Sequence, residues 1–308
     1  MTDTSAEVEA STAAGLLRAI RPHAIALIAL LVTALIVGSF ADETISRALF
    51  GPENAFGVFL AAWGETPALL SLVAAGTLLI VARNRARTPI AVVQLIGGGL
   101  LVALGAAGTT FQALRYIEIP IVALVVIGAA LVAPTVLLFR TIGRRADHAT
   151  AVRVGLAFFL VVIVEIIVVN VMKQIWQRPR MRLLEEDPSV AFQPWWQIGS
   201  DDFARLTAEG VSWDEFASFP SGHTANGAVL ILVVLLALLV PRLTRFVPLL
   251  WWIGAIGGLL VAMSRIITGA HFVTDTVGGY AVALISVLVA IVILQRREVR
   301  AERVSATP

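Results

Sequence analysis

Three short stretches hold most of the polar residues that the long apolar runs of this sequence leave unexplained. They lie at 173–182, 219–223 and 264–275. Between them they contain a lysine, several arginines, a Ser-Gly pair, two histidines and an aspartate. Arginine and lysine bind phosphate oxygens, and histidine moves protons near neutral pH. This combination predicts chemistry on a phosphate group.

The first set of candidates would bind an anion. Lys173, Arg180 and Arg265 supply fixed positive charges, and arginine adds a planar fork that matches phosphate oxygens. Ser221 and Gly222 follow a proline and precede a predicted helix, so the serine hydroxyl and the nearby N–H groups are expected to point outward. The amino terminus of a helix favours anions, and glycine lets the backbone approach a ligand closely.

The two histidines of these stretches differ in their sequence neighbours. His271 and Asp275 are spaced i,i+4, which predicts that they share one face of a helix and that the carboxylate accepts the imidazole proton. His223 has no such partner nearby in sequence, which suits a group that acts as an acid. Together with the cations, the two histidines indicate phosphoryl transfer through a phosphohistidine.

The elements that must position these residues are membrane-spanning helices. Of the 308 residues, 58% are hydrophobic and 14% are charged, against about 25% charged in a typical soluble protein. Eight largely apolar runs have the length that a bilayer-spanning helix needs. They lie at about 24–40, 66–82, 89–107, 118–139, 151–172, 223–240, 246–263 and 272–294. We therefore predict an all-α, polytopic transmembrane bundle of about eight spans, with the first run retained as a span.

Loop charge predicts the orientation of the bundle. Arginine clusters follow the second, fourth, sixth and eighth runs, on the same side as the amino terminus. Because basic loops face the cytoplasm, both ends are predicted to be cytoplasmic. The three polar stretches then lie together on the extracytoplasmic face of the cell membrane.

Composition also excludes several classes of partner and cofactor. The chain has no cysteine, which excludes disulfides, iron–sulfur clusters and thiolate catalysis. No carboxylate cluster indicates a metal site, so neither a metal nor another cofactor is expected. The formal net charge of +2 is spread over short loops, which argues against nucleic-acid binding.

The three stretches resemble the signature motifs of the type 2 phosphatidic acid phosphatase superfamily. The matching patterns are Lys-x6-Arg at 173–180, Pro-Ser-Gly-His at 220–223 and Ser-Arg-x5-His-x3-Asp at 264–275. The first pattern departs from the family in one place, because Met181 stands where a proline is usual. Arg178, followed by a proline, competes for the arginine position, but family spacing favours Arg180.

The resemblance implies a domain organisation and a set of roles. Residues 118–295 would form a six-helix phosphatase core with a long outer loop at 173–222, and 23–110 would be accessory helices. The segments 1–22 and 296–308 would be cytoplasmic tails. In the active site, His271 would attack phosphorus, Asp275 would orient it, and His223 would protonate the leaving oxygen and then activate water. The phosphoryl oxygens would be held by Lys173, Arg180, Arg265, Ser221 and the Gly222 N–H.

The implied function is a metal-independent phosphatase acting on a lipid phosphomonoester or diphosphate, such as phosphatidate or a polyprenyl diphosphate. A lipid phosphotransferase using the same site is the main alternative. A transporter is a weaker one, because its polar residues would be spread along a path through the bilayer. Glu165 lies within the fifth run, about two turns below Lys173, and we interpret it as a hydrogen-bonding residue of the bundle whose partner is open. The sequence does not indicate the oligomeric state.

Overall fold

The structure of the chain, a computed structural model, describes residues 12–305, with side chains described as far as residue 297. Regular secondary structure within these residues is entirely helical, and eight helical stretches are long and apolar enough to cross a membrane. The eight spans are Ala13–Leu49, Ala55–Val81, Thr88–Arg115, Ile121–Arg145, His148–Glu186, Gly222–Leu239, Pro241–Ile267 and Val273–Arg297. The predicted all-α bundle with eight spans is confirmed.

The α-helices are numbered along the chain. They are α1 (Ala13–Leu49), α2 (Ala55–Trp63), α3 (Thr66–Val81), α4 (Thr88–Phe111), α5 (Ile121–Arg145), α6 (His148–Trp176), α7 (Met181–Glu186), α8 (Phe203–Ala208), α9 (Gly222–Ala228), α10 (Leu236–Leu239), α11 (Val247–Ile267) and α12 (Val273–Ser305). Short 3₁₀ segments at 112–115, 213–216, 229–235 and 241–246 join or extend several of them.

Helix α1 is longer at both ends than the predicted first run. Its 37 residues make it about 55 Å long, well beyond the thickness of the apolar bilayer core. At its start, the Thr12 hydroxyl accepts a hydrogen bond from the Gly15 N–H at 3.1 Å. The helix continues through Asp42 because that carboxylate is buried against Arg178 instead of ending the span in water.

The described parts of both predicted tails are helical, and their cytoplasmic location stays a prediction. Residues 12–22 begin or belong to α1, and 296–305 continue α12. Residues 1–11 and 306–308 lie outside the described part of the chain.

The segment predicted as the first outer loop contains a helix of its own, α2. Its start is fixed by Asn54, whose side-chain oxygen accepts a hydrogen bond from the Gly57 N–H at 3.0 Å. The helix has 9 residues, which is too short to span a membrane. The search for apolar runs of spanning length therefore did not predict it. Glu65 lies between α2 and α3, and this break in the second span becomes part of the site described below.

The bundle packs the two ends of the chain together. Helix α1 lies against α11 and α12, and α2 packs on α11. Helix α3 contacts both α4 and α6, and α12 contacts α6. One continuous apolar core runs through these contacts, from Leu16 in α1 to Leu294 in α12.

The predicted outer loop is a folded cap. It includes the last turn of α6, the short helices α7 and α8 and a 3₁₀ turn. A small apolar cluster of its own holds it together, with Met181, Leu184, Leu206 and Phe216 packed on Phe272 from the loop before α12. The cap therefore joins the first of the three polar stretches to the third.

Candidate active site

The three polar stretches meet around one cavity of about 470 Å³. Six of the predicted site residues line it: Lys173, Arg180, Gly222, His223, Arg265 and His271. The other two, Ser221 and Asp275, are buried beside it and have different surroundings.

His271 lies in the loop between α11 and α12. Its backbone N–H donates to the Arg265 carbonyl at 3.2 Å. The ring Nδ1 lies 2.6 Å from the Ser218 carbonyl oxygen, which can only accept, so Nδ1 carries the hydrogen. The other ring nitrogen, Nε2, therefore keeps its lone pair on a side chain that lines the cavity. This is the state that a nucleophile needs.

Two details of the His271 prediction were wrong. Helix α12 begins at Val273, so His271 and Asp275 do not share a helix face. The Asp275 carboxylate is 3.8 Å from Nδ1, beyond hydrogen-bond length, and the Nδ1–H donates to the Ser218 carbonyl instead. Burial also lowers the pKa of His271 well below its ordinary value, which keeps the imidazole neutral at neutral pH.

Asp275 fixes the loop that carries His271. The Ser218 hydroxyl donates to its carboxylate at 2.6 Å, and the Phe272 N–H donates to the same oxygen at 2.8 Å. Its other oxygen accepts from Arg178 at 2.5 Å. Asp275 thus holds both segments that flank the His271 ring, including the residue whose carbonyl accepts the Nδ1 proton.

Arg178 and Arg180, the two candidates for the motif arginine, have separate environments. Arg178 is fully buried, and it bridges Asp275 to Asp42 of α1, with Nη2 2.9 Å from the Asp42 carboxylate. Its Nε donates to the Gln193 carbonyl at 2.7 Å. Arg180 lines the cavity, as family spacing favoured.

Arg180 and Arg182 approach the cavity from the cap. Arg180 donates from Nε to the Asp214 carbonyl at 2.8 Å and from Nη2 to the Asp214 carboxylate at 2.9 Å. Arg182, which also lines the cavity, is held by Glu215 at 2.8 Å and 2.5 Å. The acidic residues of the cap therefore orient the guanidinium groups.

Two other cations on the cavity wall have no counter-charge. Within residues 12–297, the Lys173 ammonium makes no hydrogen bond or ion pair. Arg265 is 2% exposed, and its Nε and Nη1 have no hydrogen-bond partner. The guanidinium carbon lies 5.5 Å from the centre of the Tyr116 ring. A buried, unpaired cation is costly, so this wall is built to receive an anion.

The two residues at the start of α9 are placed differently: Ser221 is buried away from the cavity, and Gly222 lines it. Ser221 is fully buried, and its hydroxyl oxygen caps α9 by accepting from the Thr224 hydroxyl at 2.9 Å and from the Thr224 N–H at 3.4 Å. The expected outward-pointing hydroxyl was therefore wrong. Gly222 begins α9 and lines the cavity, which places the start of that helix beside the unpaired cations.

The partners of His223 come from distant parts of the chain. The Tyr116 hydroxyl lies 3.0 Å from Nε2, and the Glu65 carboxylate lies 3.7 Å from Nδ1. Both residues line the cavity. The sequence analysis missed them because no local spacing connects them to His223. The sequence indicated only their level in the membrane, because each lies beside the outer end of a predicted span.

Glu165 also lines the cavity, contrary to its prediction. It is 1% exposed, and its Oε2 has no hydrogen-bond partner. The interpretation as a hydrogen-bonding residue of the bundle was therefore wrong. Among the described residues, the cavity included, no group of three or more histidine, aspartate or glutamate side chains is placed to hold a metal ion.

Comparison with known proteins connects this geometry to a family. Residues 154–298 match the family model of the PAP2 superfamily. We call these residues the PAP2 segment. The match contains all three motif stretches, starts within α6 and does not reach the first four spans. The PAP2 segment therefore supplies both histidines and the cations, whereas Glu65, Tyr116 and Asp42 lie outside it.

A curated relative adds a second similarity. Over 93 residues the chain is 34% identical to phosphatidylglycerophosphatase B of Bacillus subtilis (strain 168). The aligned part covers 30% of this chain and 43% of the relative, so the chain spans less than half of that protein's length. No solved structure matches the chain.

Proposed function

We propose that this protein is a lipid phosphate phosphatase of the cell membrane that works through a phosphohistidine. The observation that carries the proposal is the unpaired Lys173 and Arg265 on the wall that also holds a neutral His271. The PAP2 segment and the similarity to a phosphatidylglycerophosphatase support it. The substrate is a lipid phosphomonoester or diphosphate, such as phosphatidate or a polyprenyl diphosphate.

The first half of the reaction forms a bond between His271 and phosphorus. The Nε2 lone pair attacks phosphorus, and the bond between phosphorus and the lipid oxygen breaks. That oxygen takes a proton from His223. Lys173 and Arg265 stabilise the negative charge on the phosphoryl oxygens, and each preorganised donor of this kind typically contributes about 2.7–4 kcal/mol.

The second half returns the enzyme to its starting state. His223, now neutral, accepts a proton from water as the water oxygen attacks phosphorus, and the bond from phosphorus to Nε2 breaks. A positioned acid or base of this kind typically contributes about 10²–10⁴-fold to the rate. The Tyr116 hydroxyl is within hydrogen-bond distance of Nε2 of His223, and the Glu65 carboxylate faces Nδ1 at 3.7 Å, so we assign both residues a positioning role.

Trapping the intermediate tests the two histidine roles. In His223→Ala the nucleophile and the cations remain, so a substrate whose leaving group needs little protonation should leave its phosphoryl group on the enzyme. The trapped bond should be stable in base and labile in acid, and peptide mapping should place it on His271. His271→Ala should abolish turnover and trap nothing. His148→Ala is a control, because that histidine is exposed at the start of α6.

The roles would be reversed by a phosphate mapped to His223, and a phosphate on Ser221 would contradict a phosphohistidine intermediate. Phosphate transferred to a second lipid in preference to water would instead identify a phosphotransferase. Activity is expected to survive EDTA and to be inhibited by vanadate, which mimics the transition state. Loss on chelation with rescue by magnesium or zinc would contradict metal independence.

We also propose that the site faces outside the cytoplasm, on the strength of the arginine-rich loops at the opposite end of the bundle. The chain has no cysteine, so single cysteines can be introduced on a clean background. Asp201→Cys in the cap should react with an impermeant thiol reagent in intact cells. Arg144→Cys should react only after permeabilisation, and labelling in sealed cells would contradict the orientation.

A further inference from the structure

The cavity extends well below the phosphate-binding cations. Glu165 lies eight residues before Lys173 on α6, which is about 12 Å deeper along the helix. It lines the same cavity, is almost completely buried and has an oxygen without a partner. A buried carboxyl oxygen without a hydrogen bond is costly, which indicates that a ligand group completes it.

Two more polar side chains, those of Glu65 and Asn226, line the cavity between His223 and Glu165. Glu65 lies 3.7 Å from Nδ1 of His223, and its Oε1 accepts from the Asn226 amide at 3.4 Å. Asn226 is three residues beyond His223 in α9, about 4.5 Å deeper along the helix. The side chains of Glu65 and Asn226 therefore extend the polar lining of the cavity from His223, the proposed acid, toward the membrane interior.

This position is the side of the leaving group. The proposed mechanism has His271 attack on one side of phosphorus and His223 protonate the departing oxygen on the other. Atoms of the leaving group next to that oxygen must then meet Glu65, Asn226 and Glu165. A cavity of about 470 Å³ has the size of a small-ligand pocket and accommodates more than a phosphoryl group.

The side chains of this region accept hydrogen bonds and disfavour a second phosphate. Glu65 and Glu165 present carboxyl oxygens, and Asn226 presents an amide oxygen. Arg115 lies 3.6 Å from the Glu65 carboxylate, and its side chain is 69% exposed at the rim. A hydroxyl group satisfies these acceptors, whereas the second phosphate of a diphosphate would add negative charge beside two carboxyl groups.

We propose that Glu165, Glu65 and Asn226 form a leaving-group subsite that binds a hydroxyl next to the scissile phosphoester. The preferred substrate class is then a lipid phosphomonoester whose phosphate is carried by a polyol, and not a lipid diphosphate. This inference rests on the proposed phosphatase function and on the assignment of His223 as the acid.

The test compares three substrates on the purified full-length protein. They are a lipid with a terminal glycerol phosphate, its analogue lacking the neighbouring hydroxyl, and a polyprenyl diphosphate. Leaving a buried polar group without its hydrogen-bond partner typically costs about five-fold to a hundred-fold, so kcat/KM should be about ten-fold higher with the hydroxyl than without it. The diphosphate should be the poorest of the three.

Variants of Glu165 then separate binding of the hydroxyl from general damage. In Glu165→Leu the ratio of kcat/KM between the hydroxyl substrate and its deoxy analogue should fall to about one, and in Glu165→Gln it should fall part of the way. Glu186→Gln in the exposed part of the cap should keep the wild-type ratio. The ratio does not depend on the amount of folded enzyme.

Each other outcome has a definite meaning. A wild-type ratio near one, a ratio unchanged in Glu165→Leu, or a preference for the diphosphate would overturn the subsite and leave the phosphatase function standing. Absence of phosphate release from all three lipids, with no trapped phosphohistidine, would overturn the phosphatase function itself.

Discussion

The two histidines of the cavity are held by different parts of the molecule. His271 is fixed by the PAP2 segment alone, through the Ser218 carbonyl and the backbone of Arg265. The Tyr116 hydroxyl and the Glu65 carboxylate lie beside the two ring nitrogens of His223, and both residues precede that segment in the chain. The comparison indicates that the motif segment provides the contacts of the proposed nucleophile, whereas the surroundings of the proposed acid include residues that precede this segment.

The same division appears at Arg178. One of its partners, Asp275, belongs to the PAP2 segment, and the other, Asp42, belongs to α1. Asp42 also accepts from the backbone N–H of Thr274 at 3.0 Å and from the hydroxyl of that residue. Residues that precede the PAP2 segment therefore contact the start of α12 as well as His223.

The largest effect is expected from Asp42→Ala. It removes one of the two carboxylates that neutralise the buried Arg178, and breaking a buried ion pair typically costs about 3–5 kcal/mol. Thermal unfolding of the purified protein should show a large loss of stability. Glu43→Ala is the matched control, because Glu43 is partly exposed and pairs only with its helical neighbour Arg47. Equal stability of the two variants would contradict a structural role of α1 at the site.

A smaller effect, on rate, is expected from Tyr116→Phe. The change removes the hydroxyl next to Nε2 of His223, and one such hydrogen bond is worth about 0.5–1.5 kcal/mol, or roughly two- to ten-fold. We expect kcat to fall by that amount while the phosphohistidine still forms on His271.

Tyr280→Phe is the control for that experiment, since Tyr280 is the other tyrosine of the chain. Its hydroxyl donates to the Ala255 carbonyl at 2.9 Å within the apolar core. It should lose some stability without losing kcat. Identical kinetics of Tyr116→Phe and wild type would contradict a role of Tyr116 in positioning His223.

Ser221→Ala tests whether a motif residue acts as a helix cap or as a phosphate ligand. Loss of a cap costs about 0.5–2 kcal/mol of stability, whereas loss of a phosphate-binding donor would raise the barrier by about 2.7–4 kcal/mol. We expect a modest decrease in melting temperature and kcat/KM within a few-fold of wild type. A hundred-fold loss of kcat/KM at unchanged stability would restore the phosphate-binding role.

The smallest expected effect is on the pH dependence of kcat/KM. Because burial lowers the pKa of His271, the imidazole stays neutral, and able to attack, at pH values below its ordinary value of about 6.5. The acidic limb of kcat/KM that reports this group should therefore have its midpoint below pH 6.5. Charged neighbours are Asp275, Lys173 and Arg180, so the limb should be measured at constant ionic strength. A midpoint above 6.5 would contradict the buried, neutral nucleophile.

Sequence predicted the parts of this structure that depend on local pattern. The number of membrane spans was predicted from the lengths of the apolar runs. Loop charge and motif spacing predicted that the three polar stretches lie together at one face of the bundle. Spacing also favoured Arg180 over Arg178 as the cavity arginine. These properties need no knowledge of what a side chain contacts.

The remaining features depend on contacts between distant residues. Asp42 lies in a helix because Arg178, 136 positions away, neutralises it. Tyr116 reaches His223 across 107 positions, and the backbone carbonyl that accepts the His271 proton belongs to a residue 53 positions away. Ser221 matches its motif, yet Thr224 satisfies its oxygen inside the protein. Spacing cannot reveal which partner a polar side chain finds.

The bridge from Asp42 through Arg178 to Asp275 has a consequence for biosynthesis. The ribosome makes the Asp42 segment first, the arginine that neutralises it more than a hundred residues later, and Asp275 last. A carboxylate in an apolar helix is costly to leave alone in lipid. The first helix is therefore expected to stay near the insertion machinery until the last helix arrives, so that the newborn chain completes its assembly by bringing its two ends together.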